Sequence, residues 1–365
     1  MNTGPTRSPR SATAARSASG SAIRSEADVT THDARAFLDV PLAEAITGVR
    51  RTAAEVGVPV SEDAGGLRVA MRSGTLRVSE VGGRTTLDIV AAEASGLQLL
   101  RDMVAARIGA LGLRLDWQGV AAGRSPGNMS LARIETVERI SPSYARVRMA
   151  GPALARFARG ALHFRLLFGP EGAGWPSTDA DGVTWWPGGV DAWHRPVYTT
   201  RAIDLLGGEA ARITFDVFLH EGGRVTAWTA RAKPGDEIAI TGPGGGDRPA
   251  APWMGLIGDE TAVPVIARVL AEADPATVGS ATFFVPDARD VQTLAAPPGV
   301  ATRWIRRGEA GGPLEALRAL AIPDRDRFVF FAAERGEAFA ARDLLRERGL
   351  SRGEFFASAY WKAGH

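Results

Sequence analysis

At 365 residues, 45% of them apolar, the chain is long enough for two or three hydrophobic cores rather than one. Its 43 basic and 41 acidic side chains leave a net charge of only +2 with no long Lys/Arg run, which argues against nucleic acid as a partner. The absence of cysteine excludes disulfides, thiolate nucleophiles and Cys-ligated clusters, and the five histidines (His32, His163, His194, His220, His365) show no metal-ligand spacing, so a redox centre must be borrowed.

Residues 1–28 are rich in Ser, Ala, Arg and Gly without an apolar run, the composition of a disordered tail rather than a signal peptide. No stretch further on is apolar for long enough to insert in a membrane, and the chain reads as cytoplasmic. From Val29 the spacing of Phe37, Leu38, Leu42, Ala45, Ile46 and Val49 predicts a helix, closed by Gly57 and Pro59. Strands over 67–71, 75–79 and 85–90, separated by glycine turns, read as an antiparallel meander, followed by a second helix over 97–111 and a short end at Leu115 to Trp117. Residues 29–118 are thus a small α+β domain, and the aperiodic residues 119–130 a linker.

Beyond the linker, short strands broken by Gly and Pro (132–140, 145–149, 162–168, 197–202, 212–219, 237–240) predict an antiparallel β-barrel over 131–250. The tryptophan-rich stretch 171–194 reads as a long loop or hairpin over that barrel. From Trp253 apolar strands alternate with helices (253–257, 262–273, 281–285, 302–305, 313–321, 327–332, 338–348), which predicts a parallel-sheet α/β nucleotide-binding domain over 251–365.

Three segments carry chemistry. In Arg195-Pro-Val-Tyr198-Thr199-Thr200-Arg201 an arginine can clamp a phosphate, a tyrosine can stack on a flavin, and Thr199 can bond a flavin nitrogen; an amphipathic strand with solvated arginines has the same composition. Strand alternation places Tyr198 with Thr200 on one face and Val197, Thr199 and Arg201 on the other. Asp216-Val-Phe218-Leu-His220-Glu-Gly222-Gly223-Arg-Val-Thr226 is a strand, a double-glycine turn and a helix start with Thr226 at the N-cap, a place for pyrophosphate or simply a glycine turn before a helix. Gly258-Asp259-Glu260-Thr261-Ala262 follows a strand and opens a helix, the crevice position where α/β sheets hold nucleotides, though a merely capped helix reads alike. Gly242 to Gly246 precedes no helical pattern and reads as a domain-joining turn.

Taken in order with Lys233-Pro-Gly-Asp236, Gly242-Pro-Gly244 and the terminal Tyr360-Trp361-Lys362, these motifs resemble the siderophore-interacting proteins, FAD-dependent ferric-siderophore reductases, over about 128–365. The resemblance implies a ferredoxin-reductase-like pair of domains. It places Arg195, Tyr198, Thr199 and Arg201 on FAD, with Asp216, Phe218, His220, Gly222, Gly223 and Thr226 lining its ribityl and pyrophosphate. It also sets NAD(P)H at Gly258 to Ala262. The family strand commonly reads Arg-x-Tyr-Thr, and here one extra residue separates Arg195 from Tyr198; Thr226 stands where a serine is usual and Ala359 where a glycine is usual. Thr199 would sit beside the hydride acceptor and Lys362 would meet an anionic ferric siderophore. A ferredoxin is an alternative donor. Asp287 favours an unphosphorylated ribose and Arg289 a 2′-phosphate, so the nucleotide is open. A reductase of free flavin, quinone or a simple ferric chelate, and a non-catalytic iron-chelate binder, are the competing readings. Residues 29–118 are similar to a small uncharacterised α+β domain fused to such proteins, on the strength of Asp116-Trp-Gln118 and the glycine-bounded strands.

Overall fold

The computed structural model describes residues 1, 31–63, 65–246 and 248–363; apart from Met1, the segment 1–28 read as a tail lies outside them. Where the sequence predicts helix from Val29, β1 (His32–Leu38) is a strand, and α1 (Leu42–Glu55) begins only after Pro41. Ala34, Ala36 and Leu38 of β1 are buried with a period of two. Alanine gives that alternation little apolar contrast, so the helical spacing from Phe37 onward outweighs it.

The meander follows as β2 (Val60–Asp63), β3 (Gly66–Met71), β4 (Gly74–Val81) and β5 (Arg84–Ala91), then α2 (Ala94–Ala110) and β6 (Leu115–Trp117). These strands form a six-stranded antiparallel sheet in the order β2-β3-β4-β5-β1-β6. Leu67, Val69, Leu76, Val78, Leu87 and Ile89 are buried, most of them in one core with Ala45 of α1 and Leu100 and Val104 of α2.

The second sheet comprises β7 (Met129–Arg139), β8 (Tyr144–Gly151) and β9 (His163–Leu167). It continues, past the small hairpin β10 (Ser177–Thr178) and β11 (Thr184–Trp185), with β12 (Val197–Thr199), β13 (Ala202–Gly207), β14 (Ala210–Phe218) and, after the short helix α3 (Arg224–Thr229), β15 (Glu237–Gly244). Its order is β12-β9-β15-β7-β8-β14-β13, so the two edge strands are consecutive in the chain. Thr200 and Arg201 join them, the Thr200 N–H donating to Leu162 O and the Arg201 N–H to Thr214 O, which rolls the sheet into a barrel. The single strand predicted over 197–202 is therefore two strands meeting at a seam. Alternation fails there: Thr199 and Thr200 are both buried. The barrel core is aromatic, with Phe164 edge-on to both Phe157 and Phe215.

Residues 119–128 lack periodicity because their backbone bonds go to the hairpin: Gly123 N–H donates to Thr178 O (2.7 Å) and Thr178 N–H to Arg124 O (2.8 Å). Trp193 is buried with Met129, Leu167 and Ala239, while Trp175 and Trp186 pack around it and Trp185 faces solvent.

The third sheet is parallel throughout: β16 (Trp253–Gly258), α4 (Val263–Glu272), β17 (Val278–Val285), β18 (Gly299–Arg306), α5 (Pro313–Ala319), β19 (Arg327–Glu334), α6 (Arg335–Glu347) and β20 (Phe355–Trp361), in strand order β18-β17-β16-β19-β20. Separate apolar cores line its two faces, as a doubly covered parallel sheet requires. β20 is the aromatic chain end, held by pairing with β19. Among the described residues no helix is long and apolar enough to cross a membrane.

Candidate flavin and nucleotide site

The barrel seam gathers the first group of candidate residues. Asp216 on β14 lies directly across from Arg146 on β8, whose guanidinium grips both its oxygens at 2.7 and 2.9 Å, and Arg201 approaches the second of them, Oδ2, at 3.2 Å. The Asp216 side chain is completely buried. Burial lowers the Arg201 pKa, with Asp216 opposing, whereas the hydrogen bond to Asp216 raises that of Arg146. Two guanidiniums thus share one carboxylate, and one terminal nitrogen of Arg201 is buried with no partner. The hydroxyl of Thr200 is likewise buried and unpartnered. An excess positive charge and an unused hydroxyl fit a group that brings phosphate and ring-carbonyl oxygens, as FAD does. Asp216 acts here by fixing two arginines.

Tyr198 turns its ring to the edge of the barrel core, 5.4 Å from Phe215 and 6.4 Å from Phe164, and burial pushes its hydroxyl pKa up. Thr199 pairs with His163 across β9. Arg195 does not join this group: its guanidinium lies 4.9 Å from the Trp186 ring centroid, and its carbonyl accepts from Arg165.

At the far end of β14, Phe218 stacks on His220 and meets Tyr144 edge-on. The helix after the double glycine starts at Arg224 with Gly223 as N-cap, so Thr226 is the third helical residue and not the cap. Its hydroxyl turns back to accept the His220 N–H at 3.1 Å. Gly222 takes φ +72°, which favours glycine, and a Cβ on Gly223 would lie 2.8 Å from both the His220 ring and the Thr226 hydroxyl, so a larger residue there would displace those side chains.

The α/β domain supplies the opposing wall. A Cβ on Gly258 would collide with Ala262 and Ile266, so the glycine lets α4 pack closely on β16. Asp259, almost wholly buried, accepts from the Thr261 N–H (2.9 Å) and hydroxyl (2.6 Å) with one oxygen and from the Trp361 indole (2.6 Å) with the other. Glu260 pairs with Arg307 at 2.7 Å while its second oxygen is buried without a partner. Burial, reinforced by Asp259, pushes the Glu260 carboxyl up to about 7. Arg307 also covers the Trp361 ring.

Tyr144, Asp290 and Arg268, to which the sequence analysis gives no role, join the two walls together with His163 and Tyr360. Tyr144 donates to Glu260 O at 2.7 Å, and Asp290 accepts from Ser141 and from the Ser143 N–H. Arg268, 1% exposed, donates from α4 to the carbonyls of Thr200 and Phe157 and pairs with Glu272. His163 bonds the Tyr360 hydroxyl at 3.1 Å; burial and then Arg268 hold its imidazole down at about 4, so it is neutral at pH 7. The one available signal was Arg268 itself, a lone charge in the apolar run Val263 to Leu270. Lys362 is exposed just past β20, and Asp287 is closed onto Arg289 in a bidentate pair. Among the described residues no group of three or more His, Asp or Glu is placed to hold a metal.

A barrel seam with buried cationic donors, facing a parallel-sheet crevice, defines a flavin-binding oxidoreductase of the ferredoxin-reductase-like fold. Residues 133–247 match the siderophore-interacting FAD-binding domain and residues 251–364 the siderophore-interacting protein domain. The chain belongs to the siderophore-interacting protein family, and FAD is the cofactor of its barrel. A siderophore utilization protein from T. fusca is 30% identical with a TM-score of 0.57, the match covering 67% of this chain and 97% of that one. Ferric vibriobactin reductase of Vibrio cholerae is 26% identical over 239 residues, 62% of this chain and 86% of that protein. NADPH-dependent ferric-chelate reductase of Escherichia coli is 28% identical over 243 residues, 62% of this chain and 90% of that protein. The N-terminal six-stranded sheet lies outside both family domains.

Proposed function

We propose that this chain reduces ferric siderophores in the cytoplasm with electrons from NAD(P)H, in three parts: residues 29–118, the barrel 131–250 and the α/β domain 251–365. The observation that carries this reading is the seam at Thr200 and Arg201, where buried polar atoms are without partners and Arg268, on the helix that follows the Asp259 to Ala262 turn, donates to Thr200 O. Bound FAD supplies an acceptor for hydride that can release electrons singly. Arg201, oriented by Asp216, and Thr199 and Thr200 hold the flavin side, with Tyr198 against its ring and the Gly222 to Thr226 bend along its phosphates. Gly258 to Ala262 receives the nicotinamide nucleotide, and Arg268 holds the two walls together through Thr200. Lys362, exposed at the end of β20, offers a positive charge to the ferric chelate. Reduction to Fe(II) weakens binding by hard oxygen donors, so electron transfer is itself the release step.

The visible spectrum of the purified protein tests the first part: a yellow preparation, or one that FAD reconstitutes, is expected. Anaerobic mixing with NADPH or NADH should bleach the flavin, and a ferric siderophore should restore it as Fe(II) appears at a chelating dye. A colourless chain that FAD does not reconstitute would end the proposal; bleaching without reoxidation by any ferric siderophore would remove only the acceptor.

A further inference from the structure

Because β16, β17 and β18 run parallel, their carboxyl ends lie side by side at the crevice, Gly258 beside Phe283 of β17 and Val285 of β17 beside Arg306 of β18. Arg307, the residue after β18, donates its N–H to Val285 O and pairs its guanidinium with Glu260 at 2.7 Å, which joins this edge to the Gly258 to Ala262 turn. A dinucleotide whose phosphates rest on that turn sets its ribose near the end of the second strand, here Asp287 just past β17.

An acidic side chain at that place recognises an unphosphorylated ribose by accepting from its hydroxyl. Asp287 is already committed elsewhere. It caps the single helical turn Ala288–Asp290, with Oδ1 accepting from the Arg289 N–H (2.8 Å) and Nε (3.0 Å) and Oδ2 from a terminal guanidinium nitrogen of Arg289 (2.6 Å). The turn is anchored from below. Asp290, wholly buried, accepts the Asp287 N–H (3.2 Å) and, from the barrel, the Ser141 hydroxyl and the Ser143 N–H. The hydrogen bonds from Arg289, supplemented by its charge and that of Arg306, hold the Asp287 carboxyl down at about 2. The acid is therefore an ion bound to Arg289, and a ribose hydroxyl would have to displace that arginine.

The cations of the same edge are accessible. Arg289 grips Asp287 with one edge of its guanidinium fork only, and its side chain is 75% exposed. Arg306 is 54% exposed and pairs at 3.1 Å with Glu309, which is equally exposed. An exposed pair of this kind contributes little and yields to a phosphate, which an arginine fork holds with two parallel bonds.

We propose that Arg289 and Arg306 select NADPH over NADH by clasping the 2′-phosphate, with Asp287 acting as the cap that orients Arg289 and not as a ribose acceptor. This builds on the reading of Gly258 to Ala262 as the nucleotide turn. Calorimetric titration of the full FAD-loaded chain with 2′,5′-ADP and 5′-AMP isolates the 2′-phosphate, and anaerobic bleaching of the flavin by NADPH and NADH follows the whole donor. The 2′-phosphate should tighten binding about tenfold or more. In Arg306→Ala, 2′,5′-ADP should weaken about tenfold and 5′-AMP hardly at all. Arg289→Ala removes one phosphate ligand and also frees Asp287, so NADPH should weaken while NADH strengthens; a purely structural role for Arg289 would weaken both together. Equal binding of 2′,5′-ADP and 5′-AMP, or parallel loss of both in the two variants, overturns the proposal and leaves the nucleotide turn standing. A chain that binds neither, and whose flavin neither NADPH nor NADH bleaches, overturns the turn as well.

Discussion

His163 and Glu260 titrate in opposite senses across the same pH range, and replacing one exposes the other. His163 is held at about 4 against an ordinary 6.5, because burial and the Arg268 charge disfavour its cation. Between those values the unfolded chain binds a proton that the folded chain refuses, so this group makes stability rise with pH from about 4 to 6.5 and contributes fully above that. Glu260 is raised from 4.5 to about 7 by burial and Asp259, with Arg307 opposing. There the folded chain keeps a proton the unfolded chain has lost, so stability falls from pH 4.5 to about 7. Each displacement is worth about 3 kcal/mol, so in the wild type the two nearly cancel. In Glu260→Gln the falling limb disappears and the variant, relative to wild type, gains about 3 kcal/mol between pH 4.5 and 7. Urea unfolding of both proteins at fixed, saturating FAD, at half-unit pH steps, measures this; other carboxylates titrate alike in the two and drop out of the difference. A difference that stays constant with pH would refute the assignment of Glu260 as a carboxyl protonated near neutrality.

Asp216→Ala leaves the buried Arg201 and half-buried Arg146 without their shared carboxylate and should destabilise the fold by about 3–5 kcal/mol, seen as a large drop in the urea midpoint; an unmoved midpoint would mean the pair is solvated in solution. Asp102→Ala removes the acceptor of both bonds that Thr184 of the barrel hairpin donates to α2, and Thr184→Val removes the hydroxyl donor of one of them. Each should cost about 1–3 kcal/mol of docking and speed tryptic cleavage at the exposed Arg124, with the two effects non-additive in the double variant.

Much of the architecture was written in the chain. The alternation of apolar runs and helices after Trp253 is long and high in contrast, so four strands of the parallel sheet were legible while the aromatic end that forms β20 was not, and the glycine-punctuated meander of the N-terminal sheet was legible too. The ordered motifs identified the family because each sits at a turn or strand end where backbone geometry restricts residue choice. β1 was misread because alanine carries its period, and Thr226 because a hydroxyl near a helix start looks like a cap until the helix is located.

What only tertiary structure decided is which charges meet. That Asp216 serves Arg146 and Arg201 follows from strand register and from the barrel closing on itself at Thr200 and Arg201, neither of which is a local property. Arg195 stands apart from the group because its guanidinium packs on Trp186, a contact that no local pattern announces. Arg268 reaches Thr200 only because two domains pack together. Sequence fixes the periodicities and bends that local chemistry controls; a buried charge finds its partner through contacts between segments far apart in the chain, and those exist only once the sheets have closed and docked.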